Sequence, residues 1–305
     1  MGPGSPGLRP TAGMTVRIAC HRLPVPGPPV HSAPMRIYIS SDIEGVAGVV
    51  TGAHTSPSGF EYERAREWMT AEVAAACQAA IAAGAGEIVV SDSHGSGENL
   101  LLERLPDPVQ VVRSWPRPLS MMQGLETGPF AAALLLGYHS GATHENGIMA
   151  HTITGQIMSL KLNGITASET VLSAAIAGHF GVPVALATGD DAYCGHARQV
   201  LAGVETAEVK WAHGSLSART MKPSLACALI AEKTTVALAG LAALKPFVID
   251  PPITLEVTLQ DRLQAELLGY LPNVERTGAT SLRHVACDMV AASKFLEFIT
   301  TYKAH

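Results

Sequence analysis

The sequence predicts an α/β fold: a layered, mixed but mostly parallel sheet flanked by helices, with a smaller carboxyl-terminal lobe. Three observations carry that reading. Strand-like apolar runs alternate with helix-like segments along most of the 305 residues. The Ala/Glu-rich stretch 61–83 lies between the apolar runs 35–41 and 87–91, the order of a right-handed β–α–β unit with parallel strands. Three apolar runs also end in an acid or a histidine. They lead into Asp42-Ile43-Glu44-Gly45, into Asp92-Ser93-His94-Gly95 and into Gly137-Tyr138-His139. In open α/β sheets the carboxyl edge of the strands is where ligands sit.

The elements follow in order. Residues 35–41 form a buried strand, and 61–83 a long helix stopped by Gly84. Residues 87–91, 109–113 and 131–138 are further strands, with Gly/Ser/His-rich loops after Asp92 and His139. A strand is expected at 156–162; Asn163-Gly164 then marks a turn without fixing a hairpin. A helix over 167–177 ends near Gly178 and Gly181. Strand 184–188, helix 191–202, strand 205–211 and helix 223–240 come next. The last third gives strand 253–259, a short helix 261–268, strand 280–286 and helix 288–301. Residues 246–252, with three prolines, mark the best sub-boundary within a domain spanning 35–305. The Pro/Gly-rich residues 1–34 lack the apolar core of a signal peptide. They read as a disordered extension, or as an upstream start with Met35 the beginning.

Composition narrows the function. Hydrophobic residues make up 47% and charged residues 15%, so part of the apolar surface is expected under a subunit interface in a homo-oligomer. A net charge of -5, with no Lys/Arg cluster, argues against nucleic acid. No apolar run approaches the ~18 residues of a membrane span. The cysteines (Cys20, Cys77, Cys194, Cys227, Cys287) are odd in number and form no Cys-x-x-Cys pair. They read as reduced thiols of a cytoplasmic protein, with Cys77 and Cys227 in helical core.

The chemistry gathers in Asp42, Glu44, Asp92, His94, His139, His144, His151, Glu169, Asp190, Asp191 and His196. On a strand, alternate side chains share a face, so Asp42 and Glu44 project together, as a divalent cation requires. Oxygen and nitrogen donors without thiolates suit zinc, manganese or cobalt in a catalytic site. Two metals sharing a carboxylate are possible on this donor count, and Asp42 is the natural bridge. Each residue also has a plainer role. Asp92 is a turn residue bonding its own backbone or an orienting partner of His94. Glu169 opens a helix, where the macrodipole alone favours an acid. Asp190-Asp191 reads equally as a helix cap. His144 and His196 read as solvated.

Six ordered motifs, beginning with Asp42-Ile43-Glu44-Gly45-Val46-Ala47-Gly48, carry a resemblance. The others are Ser91-Asp92-Ser93-His94, Leu136-Gly137-Tyr138-His139, Gly147-Ile148-Met149-Ala150-His151-Thr152, Asn163-Gly164 with Glu169, and Thr188-Gly189-Asp190-Asp191. From Met35 to about Tyr302 the chain resembles the zinc-dependent D-aminopeptidase family. The resemblance implies that Asp42 bridges two zinc ions per subunit, with Glu44, His94, His139 and Glu169 as the other ligands. It implies that His151 is the catalytic histidine. It further implies hydrolysis of the amino-terminal bond of short peptides, a preference for D-residues, and a decameric ring. Departures are Ser91, where the family usually has Asn, and the extension 1–34. The stretch Lys210-Trp211-Ala212-His213-Gly214 is variable in the family and is expected to shape the substrate pocket.

Two rivals fit parts of the pattern. A haloacid-dehalogenase-type phosphatase would use Asp42 as nucleophile with Asp190-Asp191 and magnesium. It gives the histidines no work, and Glu44 stands where that family has a second Asp. A non-catalytic metal- or peptide-binding protein would keep the ligands without needing His151.

Overall fold

The computed structural model describes residues 34–302. The sequence-based reading of 1–34, and Cys20 with it, falls on positions outside that range, Pro34 apart. The chain runs β1 (Met35–Ser41), α1 (Gly52–Thr55), α2 (Tyr62–Ala82), β2 (Ala85–Asp92), β3 (Val109–Val112) and β4 (Ala132–Leu136). It continues β5 (Ile157–Leu162), β6 (Ile165–Thr166), α3 (Glu169–His179), β7 (Val184–Asp190), α4 (Asp191–Val200), β8 (Glu205–Gly214) and β9 (Ser217–Thr220). It closes with α5 (Pro223–Ala239), β10 (Ile253–Leu259), α6 (Arg262–Leu268), β11 (Val274–Arg276), β12 (Ser281–Ala286) and α7 (Met289–Thr301).

The predicted class holds. A seven-stranded sheet has the order β3-β2-β1-β4-β7-β8-β9, parallel except at its β9 edge. A second, antiparallel sheet of five strands has the order β11-β12-β10-β5-β6. It draws two strands from the middle of the chain and three from its last fifth. The Asn163-Gly164 turn does close a hairpin, with both residues at positive φ (49° and 81°) and Leu162 facing Ile165. Four short elements escaped the sequence reading: α1, β6, β9 and β11. Each is too brief to show a hydrophobic period.

Side-chain alternation along the strands splits the core. Ile37, Ile39, Ile88, Val90, Leu134 and Leu136 pack beneath α2 and α5, with Met69, Val73, Cys77 and Ile230. Tyr38, Val89, Ala133 and Leu135 face the other way, toward α3, α7 and the second sheet. That sheet is one-sided: Ile253, Leu255, Val257 and Leu259 are buried and the residues between them are not. Among the described residues, no helix is long and apolar enough to cross a membrane.

Strand order places the ligand edge. From β1 the chain moves outward through β2 and β3, then returns to β4 on the opposite side of β1. The two loops leaving the carboxyl ends of β1 and β4 therefore diverge, and a crevice opens at such a switch point. Two glycines bring those loops together. A Cβ on Gly45 would lie 2.0 Å from the Tyr138 carbonyl oxygen. One on Gly137, whose φ is +66°, would lie 2.2 Å from the Asp42 carbonyl oxygen. The Gly45 amide donates to Gly137 O at 2.7 Å, and the Asp42 amide to Leu136 O at 2.8 Å.

Gly137→Ala is expected to destabilise by more than about 1–3 kcal/mol, since it combines overpacking against backbone with a left-handed φ. Gly84→Ala, also at positive φ but with nothing within 4 Å of its Cβ position, carries only the conformational part. Urea unfolding of the two variants should rank them in that order.

Candidate metal centre

The crevice between the β1 and β4 loops is lined by acids and imidazoles whose lone pairs converge. Asp42 follows β1 and is 3% exposed; Glu44, two residues on, is 4% exposed. His94 follows β2. Its Nε2–H donates to the Thr55 carbonyl at the end of α1 (2.9 Å), which leaves Nδ1 as the inward nitrogen. That nitrogen lies 2.9 Å from Glu44 Oε2 and 3.3 Å from Asp42 Oδ1. His139 follows β4, and its Nδ1–H donates to Ser140 O at 3.0 Å. Its Nε2 lies 3.4 Å from Asp42 Oδ2 and 3.3 Å from Glu169 Oε2. Asp42 thus offers one oxygen to each imidazole, and each imidazole has a second acid of its own.

Glu169 is the first residue of α3 and 3% exposed. It sits where the helix dipole favours an acid, as composition alone suggested, and it also reaches the cluster. The Ile153 amide donates to its Oε1 at 2.6 Å. Ile153 reaches that position only by adopting φ 63°, and Met149 has φ 55°. A β-branched residue in the left-handed region is a costly conformation, of the kind found at functional sites. Between the two lies His151. Its ring stacks on His139, with centroids 4.1 Å apart and planes 14° apart. Its Nδ1–H is held by Met149 O at 2.8 Å, so Nε2 is the free nitrogen, 3.8 Å from Glu169 Oε1.

Electrostatics follow from this crowding. Burial alone would raise the Asp42 carboxyl, but the adjacent His139 and His94 imidazoles hold it well below the usual carboxylate range. Burial would likewise raise Glu169, yet His139 and then His151 keep it low. Burial would lower both buried imidazoles. Glu44 and Asp42 outweigh it at His94, and Glu169 and Asp42 at His139, so both rise well above their ordinary value. Once the outer nitrogens have donated to carbonyls, the inner faces hold acceptors against acceptors. Glu44 Oε2 and His139 Nε2 are buried with no hydrogen-bond partner. Such a set accepts a cation: protons, or a metal. Asp42, Glu44 and His139 can bring ligand atoms within 4.8 Å of one another, as can His139, His151 and Glu169.

The other candidates have supporting parts. Asp92 takes the Asn99 and Leu100 amides on Oδ2 (2.6 and 2.8 Å) and the Asn99 side chain on Oδ1 (2.7 Å). Asn99 Nδ2 also donates to His94 O at 2.7 Å, so Asp92 folds the His94 loop rather than touching the imidazole. Asp190 caps α4 through Tyr193 N (2.7 Å) and also receives Ile148 N (2.8 Å), which steadies the His151 loop. Asp191 accepts from Ala212 N at 3.0 Å. His144 and His196 stand apart from the cluster, and they are half-buried rather than solvated. His196 contacts the Ser168 hydroxyl at 3.0 Å, and both rings line a neighbouring groove.

A cavity of about 370 Å³ opens onto the cluster. Asp42, His94, His151 and Glu169 line it on one side, and Trp115, Met121, Ile153, Glu297, Thr300 and Thr301 on others. Ala212, His213 and Gly214 border the neighbouring groove instead, and Lys210 is wholly buried, so the 210–214 stretch is not part of this cavity wall.

The family model described as D-aminopeptidase matches residues 35–298. This chain belongs to the D-aminopeptidase family. A D-aminopeptidase of Bacillus subtilis (strain 168) is 31% identical over 267 residues, covering 87% of this chain and 97% of the relative. A solved structure, the Zn-dependent D-aminopeptidase DppA of Bacillus subtilis, described as a self-compartmentalizing protease, superposes with a TM-score of 0.83. It is 31% identical to this chain, covering 87% of it and 97% of the neighbour. The chain is accordingly an aminopeptidase-family hydrolase, and nothing in these likenesses supports the phosphatase or the non-catalytic binding protein. Sequence reasoning missed Thr55, Asn99 and Ile153. Each acts through backbone or as a relay, which no residue type announces.

Stability should carry the signature of the cluster. The lowered Asp42 and Glu169 contribute above the ordinary carboxylate range, about pH 4, and lose that contribution as pH falls through their folded values. The raised histidines contribute fully below about pH 6.5 and lose it as pH rises through theirs. In the presence of a chelator, His139→Asn should therefore destabilise more at about pH 6 than at about pH 10. Urea midpoints at the two pH values would measure this; equal losses would contradict the charge pairing.

Proposed function

We propose that this chain is a zinc-dependent aminopeptidase that hydrolyses the amino-terminal bond of short peptides, with preference for an amino-terminal D-residue, at a site for two zinc ions. The observation that carries it is Asp42, whose two oxygens face two different imidazoles, each backed by a further acid. The donor set fits: Asp42, Glu44 and His94 would hold one ion, and Asp42, His139 and Glu169 the other. Bound zinc supplies Lewis acidity that polarises a carbonyl and brings the pKa of water down to about 7.

The remaining roles fall to the chain. Thr55 O and Ser140 O fix the tautomers of the two imidazoles, so their inward nitrogens stay free of protons when a metal is held. His151 Nε2 faces the cavity while Met149 O holds the other side of the ring. It is placed to pass a proton to the departing amine or to stabilise a developing oxyanion. The cavity volume, about 370 Å³, suits a short peptide.

Assembly is part of the proposal. The self-compartmentalizing neighbour favours a homo-oligomer, and we take a decameric ring as its form. Leu216, Leu225, Val248 and Tyr270 are each more than half exposed and supply apolar surface for contacts between copies. A cytoplasmic location goes with it, supported by the buried thiols Cys77 and Cys194. Residues 35–305 would act as one metallohydrolase unit with a sub-boundary at 246–252.

His151→Ala should keep the metal content and lose turnover on the order of 100-fold or more. A panel of D- and L-alanyl dipeptides, with metal analysis of the same samples, tests both halves. Wild-type turnover would make His151 a bystander, and faster cleavage of the L-series would remove the D-preference. Light scattering should return ten times the 31.8 kDa chain mass. A monomer would end the assembly reading.

A further inference from the structure

Beneath the β1 loop lies a buried cation that the chemistry above does not use. Lys210, on β8, has no solvent exposure, although lysine is among the residues least often fully buried. Its Nζ donates to the Glu44 carbonyl and, at 2.6 Å, to the Val49 carbonyl. Glu72, on α2 and 1% exposed, accepts the Ala47 amide at 2.9 Å. The Thr220 hydroxyl on β9 accepts the Gly48 amide at 2.7 Å. Four backbone groups of the 44–49 segment are thus gripped by three side chains from three elements.

Burying an ammonium carries a large desolvation cost, and an apolar residue of similar volume often serves stability as well or better. Lys210 makes no direct ion pair within 4.0 Å among the described residues. Its charge instead sits among Asp190, Glu72, Glu44 and Asp42, under the acid-rich end of the crevice. The contact is also local. The Glu44 carbonyl belongs to the residue whose carboxylate faces His94. The other end of the crevice is held by different means: Ser140 O behind His139, and Ile153 N on Glu169.

We propose that Lys210 is a positioning residue for the Glu44 half of the ligand set, fixing the loop that presents Glu44 and hence retention of one of two ions. The inference rests on the two-zinc reading above. It predicts an asymmetric effect, which a general loss of stability would not produce.

The test titrates the full-length chain with zinc against a chromogenic chelator, wild type beside Lys210→Met. The expected result is two ions on the wild type. The variant should hold one ion at wild-type affinity and the other on the order of 10–100-fold more weakly. Cobalt loading should show one absorption band set preserved and the other altered. Wild-type affinity for both ions in folded Lys210→Met would overturn the proposal, and so would equal weakening of both. Should that variant not fold, amide hydrogen exchange on the metal-free wild type decides. Residues 43–49 should be protected before any metal is added; exchange at unfolded-chain rates until zinc arrives would overturn the clamp. Fewer than two ions on the wild type would instead sink the two-zinc reading, and the exchange of residues 43–49 in Lys210→Met beside the wild type then judges Lys210: faster exchange is expected, and unchanged exchange would overturn the clamp.

Discussion

One carboxylate shared between two imidazoles is the constraint on which the rest of this structure turns. Asp42 must present an oxygen to His94 and another to His139, and those histidines leave the sheet from different strands. That demand constrains the spacing of the β1, β2 and β4 ends. It explains why the loop backbones meet at glycines, where any side chain would strike a carbonyl. It also explains the outward hydrogen bonds of both rings, which commit each imidazole to one tautomer.

Around that constraint the molecule divides its labour. Asp42, Glu44, His94, His139 and His151 come from loops at the carboxyl edge of the parallel sheet, and Glu169 from the start of α3. The loops are in turn disciplined by buried polar groups that never reach the cavity: Asp92 through Asn99, Asp190 through Ile148, and Lys210 through Glu44 and Val49. These relays sit in a low-dielectric interior, where a satisfied hydrogen bond is strong and an unsatisfied one costly. The left-handed Met149 and Ile153 are held in place by the same network, which aims an amide at Glu169 and an imidazole at the cavity.

Much of this was legible in the sequence. Asp42, Glu44, His94 and His139 stand at the ends of apolar runs, where period-two geometry and strand order together imply convergence. The parallel pairing of β1 and β2 could be read because the long helix α2, stopped at Gly84, separates them. Glu169 was different: an acid at a helix start is what the dipole would select anyway, and only the ordered motifs distinguished it. Pairing of β5 with β10 joins residues almost a hundred positions apart, and no local pattern encodes that contact. Lys210 looked like part of a variable pocket wall. Its burial depends on the 44–49 loop folding back onto β8, which is a property of packing and not of residue type.

The cavity has two kinds of wall, and they come from separate parts of the chain. Asp42, His94 and His151 come from loops of the parallel sheet, whereas Glu297, Thr300 and Thr301 arrive on the terminal helix α7, which packs on the second sheet. The two walls are therefore free to vary separately. Substitution at Glu297, Thr300 or Thr301 can reshape the cavity while the cluster of acids and imidazoles stays untouched.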